Sequence, residues 1–265
     1  MLLAFFGDYV SAEDQAVASA SVIDVLEPAG VGVHATRATL SRMTKRGLLR
    51  RVPSGRQAYF GLTEFGRRTV LEGRHRAQVA DVVASRWDGR WTLVAFSLPE
   101  DSHRERHGLR SRLTWAGFGM VQAGMWAAPR DIDVVELLAD LDGFANVNAF
   151  RGEPVAPTQT AVLVRSAYDL DALAARYDAF LARWSPLADV SGDDVGDPLT
   201  ARVLLSADWL LVLRDDPRLP LEFLPGPWPA LAARDLHRRL EARLRGPAER
   251  EARQRLEILP VPPAP

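Results

Sequence analysis

The chain contains no cysteine. Disulfide frameworks, thiolate zinc sites and cysteine nucleophiles are therefore excluded. Lysine is almost missing as well: Lys45 stands alone, and arginine carries nearly all of the positive charge. No apolar run approaches the roughly 18 residues that a membrane-crossing helix requires. The opening MLLAFFGDYV has neither a basic n-region nor a small-residue cleavage site. These absences lead to the expectation of a cytoplasmic protein with no membrane partner. No glycine-rich phosphate loop, nucleotide fingerprint or Ser-His-Asp arrangement stands out either, so neither a cofactor nor catalysis is expected.

What is present points to a folded chain. With 265 residues, 47% of them apolar and 25% charged, it has enough material for two or three cores and too much hydrophobicity for disorder. A formal net charge of −1 hides a strong asymmetry. The stretch HATRATLSRMTKRGLLRRVPSGRQAYF, residues 34–60, holds seven basic residues and no acid. Residues 34–76 together carry eleven basic and two acidic residues, a surplus of nine positive charges, while the remainder is acidic. One strongly basic segment in an otherwise acidic protein is the footprint of a contact with nucleic acid.

LLAFFGDYV is an apolar opening segment. SASVIDVLEPAG then reads as a helix ended by its Pro-Ala-Gly break. Within the basic stretch Thr36, Leu40, Met43 and Gly47 recur at helical spacing, which predicts a helix packed on that face and stopped at Gly47. LLRRV and RQAYFGL are strand-like around Pro53-Ser54-Gly55 and predict a β-hairpin. Thr63 is placed to cap the next helix. Helix, helix, turn, helix and two-stranded wing together describe a winged helix-turn-helix over residues 1–78, whose last helix before the wing enters the major groove of duplex DNA. On its outer face Arg37, Ser41 and Lys45 follow at i, i+4, i+8, flanked by Ala38, Arg42 and Arg46. Arginine there can bond guanine bidentately or neutralise phosphate, and small residues permit close approach. Arg56, at the wing tip, is placed for phosphate or the minor groove.

From Arg86 the pattern alternates strand, helix, two short strands divided near Gly124, helix and strand. That βαββαβ order predicts a ferredoxin-like middle domain over residues 86–155. GEPVAPTQT forms a joint, AVLVRSA reads as a further strand, and residues 158–265 are otherwise mostly helical, with the tail LPVPPAP expected to fray. The fold class expected is thus multidomain α+β.

Three separated stretches carry a resemblance. "FFGDYV" through "TRATLSRMTKRGLL" to "GRQAYFGLTEFG", then "RWDGRWTLVAFSLPE" with "LRSRLTWAGFGMVQAGMWAAPRD", then "LRDDPRLPLEFLPGPWP" are similar, in that order, to the bacterial transcriptional regulators typified by PaaX, the phenylacetate-degradation repressor. The resemblance implies a homodimeric repressor on a palindromic operator, released by a small acidic effector of the acyl-CoA thioester class. It also implies that Arg37, Arg42 and the Gly55-Arg56 wing contact DNA. One departure is notable. Where the family shows a His-Glu-aromatic-Arg-Arg stretch, this chain has Ala207, Asp208, Trp209, Leu210 and Leu211, which implies a different effector or none.

The rival reading is a metal-dependent nuclease, because the middle domain also resembles the small ferredoxin-like nuclease of CRISPR adaptation. Those enzymes place a metal-binding Asp after the first strand; here that place falls on Ser97, with Asp101 beyond Pro99 in the loop. His103 and His107 have the i, i+4 spacing of zinc ligands but no evident third ligand. Asp193, Asp194 and Asp197 lack the length and closing Glu of a calcium loop. Trp87, Trp91, Trp115 and Trp126 suit core and interface positions, or the walls of an aromatic-ligand pocket.

Overall fold

The apolar opening segment is a helix, α1 (Leu2–Tyr9), and it buries Phe5 and Phe6 completely. In the computed structural model, residues 1–12, 14–55, 57–79, 87–97, 103–139, 147–214 and 216–261 are described. They form a mixed α+β protein with two four-stranded antiparallel sheets. The chain divides into two units. One comprises Met1–Ala80, Phe180–Leu211 and Arg234–Pro265; the other comprises Asp81–Ala179 and Val212–Ala233.

In the first unit, α1 is followed by β1 (Gln15–Ala18), α2 (Ser19–Leu26), α3 (Val33–Lys45), β2 (Leu49–Ser54), β3 (Gln57–Leu62) and α4 (Glu64–Val79). Strands β2 and β3 pair from Leu49↔Leu62 to Ser54↔Gln57, and β1 lies antiparallel on the other side of β3. The fourth strand comes from the far end of the chain. β8 (Ile258–Pro260) pairs with β1 from Gln15↔Pro260 to Val17↔Ile258, which gives the order β2-β3-β1-β8. The tail therefore does not fray at Leu259 and Pro260. Val261 is buried and donates its N–H to the Asp14 carbonyl at 2.6 Å. The core of this unit mixes both ends of the sequence. Val22, Val25, Leu40 and Leu49 pack with Leu199 and Val203 of α9 (Pro198–Arg214) and with Leu256, just past α10 (Pro229–Arg255).

The second unit contains β4 (Trp91–Phe96), α5 (His103–Trp115), β5 (Gly119–Gln122), β6 (Met125–Ala128), α6 (Val134–Leu138) and β7 (Val147–Gly152). Its sheet order is β5-β6-β4-β7, all antiparallel. Asp133 caps α6 by accepting the N–H groups of Val135 and Glu136 at 2.9 and 3.0 Å. Leu109 and Leu113 of α5 pack on Val94 and Trp126 of the sheet. Trp91 is also buried and stacks on Phe223 at 5.9 Å, with Trp87 edge-on to both, while Trp115 is exposed.

The run AVLVRSA is not a strand. It forms α7 (Thr160–Ala167), followed by α8 (Leu170–Trp184). The alternating β-branched residues suggest a period of two, but the inward positions are 160, 163, 164 and 167, which is helical spacing. Gly119 accommodates this helix, since a Cβ there would lie 2.7 Å from the Ala167 carbonyl oxygen and the Tyr168 ring.

Leu199 and Leu256 are fully or almost fully buried in a core otherwise built mostly from residues 2–70. Leu199→Ala or Leu256→Ala should cost about 2–5 kcal/mol by the usual transfer and cavity terms. Denaturant melts followed by circular dichroism should show the loss although both residues lie far in sequence from the basic segment.

Candidate nucleic-acid interface

Helix α3 has two faces with different fates. Thr36, Leu40 and Met43 are 0%, 1% and 7% exposed and lie in the core of the first unit. Arg37, Ala38, Ser41, Arg42, Lys45 and Arg46 are all exposed. The helix ends as its sequence predicts. Gly47 takes φ +72°, its N–H donates to the Thr44 carbonyl, and the Leu48 N–H reaches back to the Met43 carbonyl, each at 3.0 Å. That pair of bonds is the glycine-terminated C-cap in which a left-handed residue satisfies the last carbonyls. Thr63 caps α4 by accepting the Gly66 N–H at 3.0 Å, so Thr63 ties the end of the hairpin to the next helix.

Around the exposed face the electrostatics are one-sided. The Arg42 guanidinium donates to Thr39 Oγ1 at 2.7 Å, and Thr39 in turn donates to the Ala35 carbonyl at 2.8 Å, so this arginine is steered along its own helix. Among the described residues no carboxylate lies within ion-pair distance of Arg37, Arg42, Lys45, Arg46 or Arg51. Elsewhere in the unit several arginines have carboxylate partners. Arg202, 7% exposed, donates twice to Glu241 at 2.9 and 3.1 Å and once to the Tyr9 hydroxyl at 3.0 Å. Burial opposes the charge on Arg202, but Glu241, Tyr9 and Asp8 outweigh it and raise its pKa. Arg255 pairs with Asp24, Asp197 and Glu251 at 2.8, 3.1 and 2.6 Å.

The interface is supported from behind by residues that sequence reading missed. Thr200 Oγ1 donates to the Val25 carbonyl at 2.9 Å and the Arg255 guanidinium to the Asp24 carbonyl at 2.9 Å, so both close the last turn of α2. A cation at a helix C-terminus also interacts favourably with the helix dipole. Glu257 donates its N–H to Ser21 Oγ at 3.0 Å and accepts the Tyr59 hydroxyl. No local pattern could have revealed these contacts, whose partners lie 175 to 236 residues apart.

The remaining sequence-predicted positions stay apart. Arg56 lies outside the described residues, as does Asp101. Ser97, directly after β4, is exposed, and so are His103 and His107 on α5. Among the described residues no group of three His, Asp or Glu is placed to hold a metal ion. Asp197 instead accepts the Thr200 N–H and the Arg255 guanidinium, and Asp193 pairs with Arg250. Of the residues at the family departure, Trp209 is buried and stacks on His237 at 4.6 Å. Burial pushes the His237 imidazole down to about 4 and so keeps it neutral at physiological pH. Leu211 is 57% exposed.

Comparison with known proteins matches three consecutive stretches of the chain. Residues 1–66 match the family described as PaaX-like protein, residues 84–164 the PaaX protein central Cas2-like domain, and residues 168–254 the PaaX-like protein C-terminal domain. All three match in order. The chain belongs to the PaaX-like family. A search of curated proteins found no significant match for this PaaX-like protein. Among solved structures it is similar to the uncharacterised protein Rv0674 from Mycobacterium tuberculosis, with a TM-score of 0.58 and 21% identity. The similarity covers 87% of this chain and 89% of that one, and it extends to the fold alone. No helix among the described residues is long and apolar enough to cross a membrane.

Gly47 is the local feature on which the end of α3 turns. Gly47→Ala forces a Cβ into the left-handed region and should cost about 1–2 kcal/mol. A urea unfolding midpoint shifted to lower concentration, with an unchanged slope, is the expected result.

Proposed function

We propose that this PaaX-like protein is a cytoplasmic transcriptional regulator that reads duplex DNA with α3 in the major groove. The observation that carries the reading is the exposed cationic face of α3, which lacks carboxylate partners among the described residues while its opposite face is locked in the core. Uncompensated arginines on a rigid helix can bond phosphates and guanine edges without first breaking ion pairs of their own. The order α2, α3, β2, β3 supports a winged helix-turn-helix over residues 1–78. The order β5-β6-β4-β7 supports a ferredoxin-like unit within residues 86–155. Residues 158–265 form the third domain of this reading.

Family membership supports a regulator of the phenylacetate-catabolism type. In this reading two copies act across a two-fold axis on a palindromic operator, since a single recognition helix covers too few base pairs. The regulator represses, and a small acidic effector of the acyl-CoA class releases it. A tenfold loss of DNA affinity on effector binding needs a coupling of only about 1.4 kcal/mol, and the same coupling makes DNA weaken effector binding. Ala207, Leu210 and Leu211 replace the polar stretch usual in the family, so the effector differs from phenylacetyl-CoA itself.

Mobility-shift titrations on the upstream region of the protein's own gene test the reading. Arg37→Ala and Arg42→Ala should each weaken specific binding by about 1–3 kcal/mol where the arginine reads a base. Arg56→Ala should weaken binding to all sequences and reduce the salt slope by about 0.9 per lost phosphate contact. Undiminished binding by a triple variant, Arg37→Ala with Arg42→Ala and Lys45→Ala, would overturn the assignment.

A further inference from the structure

The second unit holds a buried polar cluster that DNA reading does not use. Asp216 is 3% exposed. Its Oδ2 accepts the hydroxyl of Tyr177, and its Oδ1 accepts the backbone N–H of Arg218 at 2.7 Å. Neither bond engages the Arg218 guanidinium. The Nε and Nη2 atoms of Arg218 are shut off from solvent and have no hydrogen-bond partner. These two atoms make up one edge of the guanidinium, the edge that offers two parallel N–H groups to the two oxygens of a carboxylate or phosphate. Buried donors are seldom left unmatched.

Charge and backbone point the same way. Arg130 reaches the same cluster, donates to the Ala116 carbonyl and packs flush against Gly117, where a Cβ would collide with its guanidinium. Burial and then the neighbouring Arg218 make Arg130 hold its proton less firmly than usual, and burial does the same to Arg218. Among the described residues two guanidinium groups thus face one buried carboxyl group, Asp216, and the cluster carries a surplus of positive charge. Arg218 also has φ +53°, the one left-handed non-glycine residue among those described. A side chain held in that region is the kind of strain that accumulates at binding sites.

We propose that the Nε–Nη2 edge of Arg218, with Arg130 beside it, is the docking point for an anion, either the carboxylate of a small organic acid or a phosphate group. The anion supplies the two missing acceptors and the missing charge together. Because the two nitrogens touch no solvent, it seats only as the turn from Asp216 to Pro220 shifts. This site deepens the regulatory reading, since it is where an acidic effector would dock. It is tested by ligand binding without DNA, so that its failure leaves the DNA-binding assignment standing.

Calorimetric titrations of the full chain with inorganic phosphate, coenzyme A and benzoate, at constant ionic strength, provide the test. We expect one-to-one binding of at least one of the three, weakened at least tenfold in Arg218→Gln. Arg218→Lys should lose nearly as much, because lysine keeps the charge but not the paired donors. Arg165→Gln, on the exposed side of α7, should bind like the original chain. Hydrogen exchange on the unmodified protein gives a readout that does not depend on a variant folding: the bound anion should protect the peptide spanning residues 212–225. Binding of phosphate and coenzyme A but not benzoate identifies a phosphate source, and the reverse identifies a carboxylate. Absence of binding by all three probes overturns the proposal. So does unchanged affinity in a folded Arg218→Gln, or ligand protection that falls outside residues 212–225.

Discussion

The last turn of α2 is closed by other parts of the chain. Its carbonyls at Asp24 and Val25 receive the Arg255 guanidinium and the Thr200 hydroxyl, from residues 231 and 175 positions further along. A helix of eight residues is too short to persist in water on its own, so its geometry depends on what is packed around it. Here α9 and α10 add these contacts to the packing that α3, β1 and β3 provide. Because α3 packs on α2 and the hairpin follows α3, the placement of the whole basic segment descends from those two contacts and from the hydrophobic surface buried with them.

The second organising element is the segregation of charge. Arg202 and Arg255, elsewhere in the first unit, are neutralised by Glu241, Asp24, Asp197 and Glu251, which cross-link helices in the manner of a small ion-pair network. Such pairs hold the frame together but leave no charge for a partner. On α3 the arrangement is reversed: the positive groups stand without acids among the described residues, and their stems are carried on a helix whose other side cannot move without disrupting the core. Rigid presentation matters, because an arginine that must first be ordered loses much of the benefit of its fork.

The features legible in the sequence were those with a short period or a local stop signal. The inward face of α3, its end at Gly47, the β2–β3 hairpin, the Thr63 cap and the strand–helix–strand order of the second unit all rest on local patterns. α7 misled because its branched residues imitate strand alternation while only one helical side is inward. β1 and β8 went unread for a different reason. Each has three or four residues, and the pairing that joins them brings together opposite ends of the sequence. The cluster of Asp216, Arg218 and Arg130 was equally silent, since nothing in the order of residues shows that Arg130 and Asp216 meet.

The pairing of β8 with β1 has a consequence for how the molecule is made. A ribosome releases residues 1–62 long before it reaches Ile258, so during synthesis β1 has only β3 beside it and its other edge is open. Unpaired strand edges on a nascent chain invite pairing with other chains. The same delay also acts as a check on completeness: a product that stops short of residue 256 lacks both β8 and the Leu256 side chain that seals the core. The basic segment therefore reaches its final support only once residues 256–260 have been made, and copies that stop before them are poorly equipped to occupy the sites that longer molecules hold.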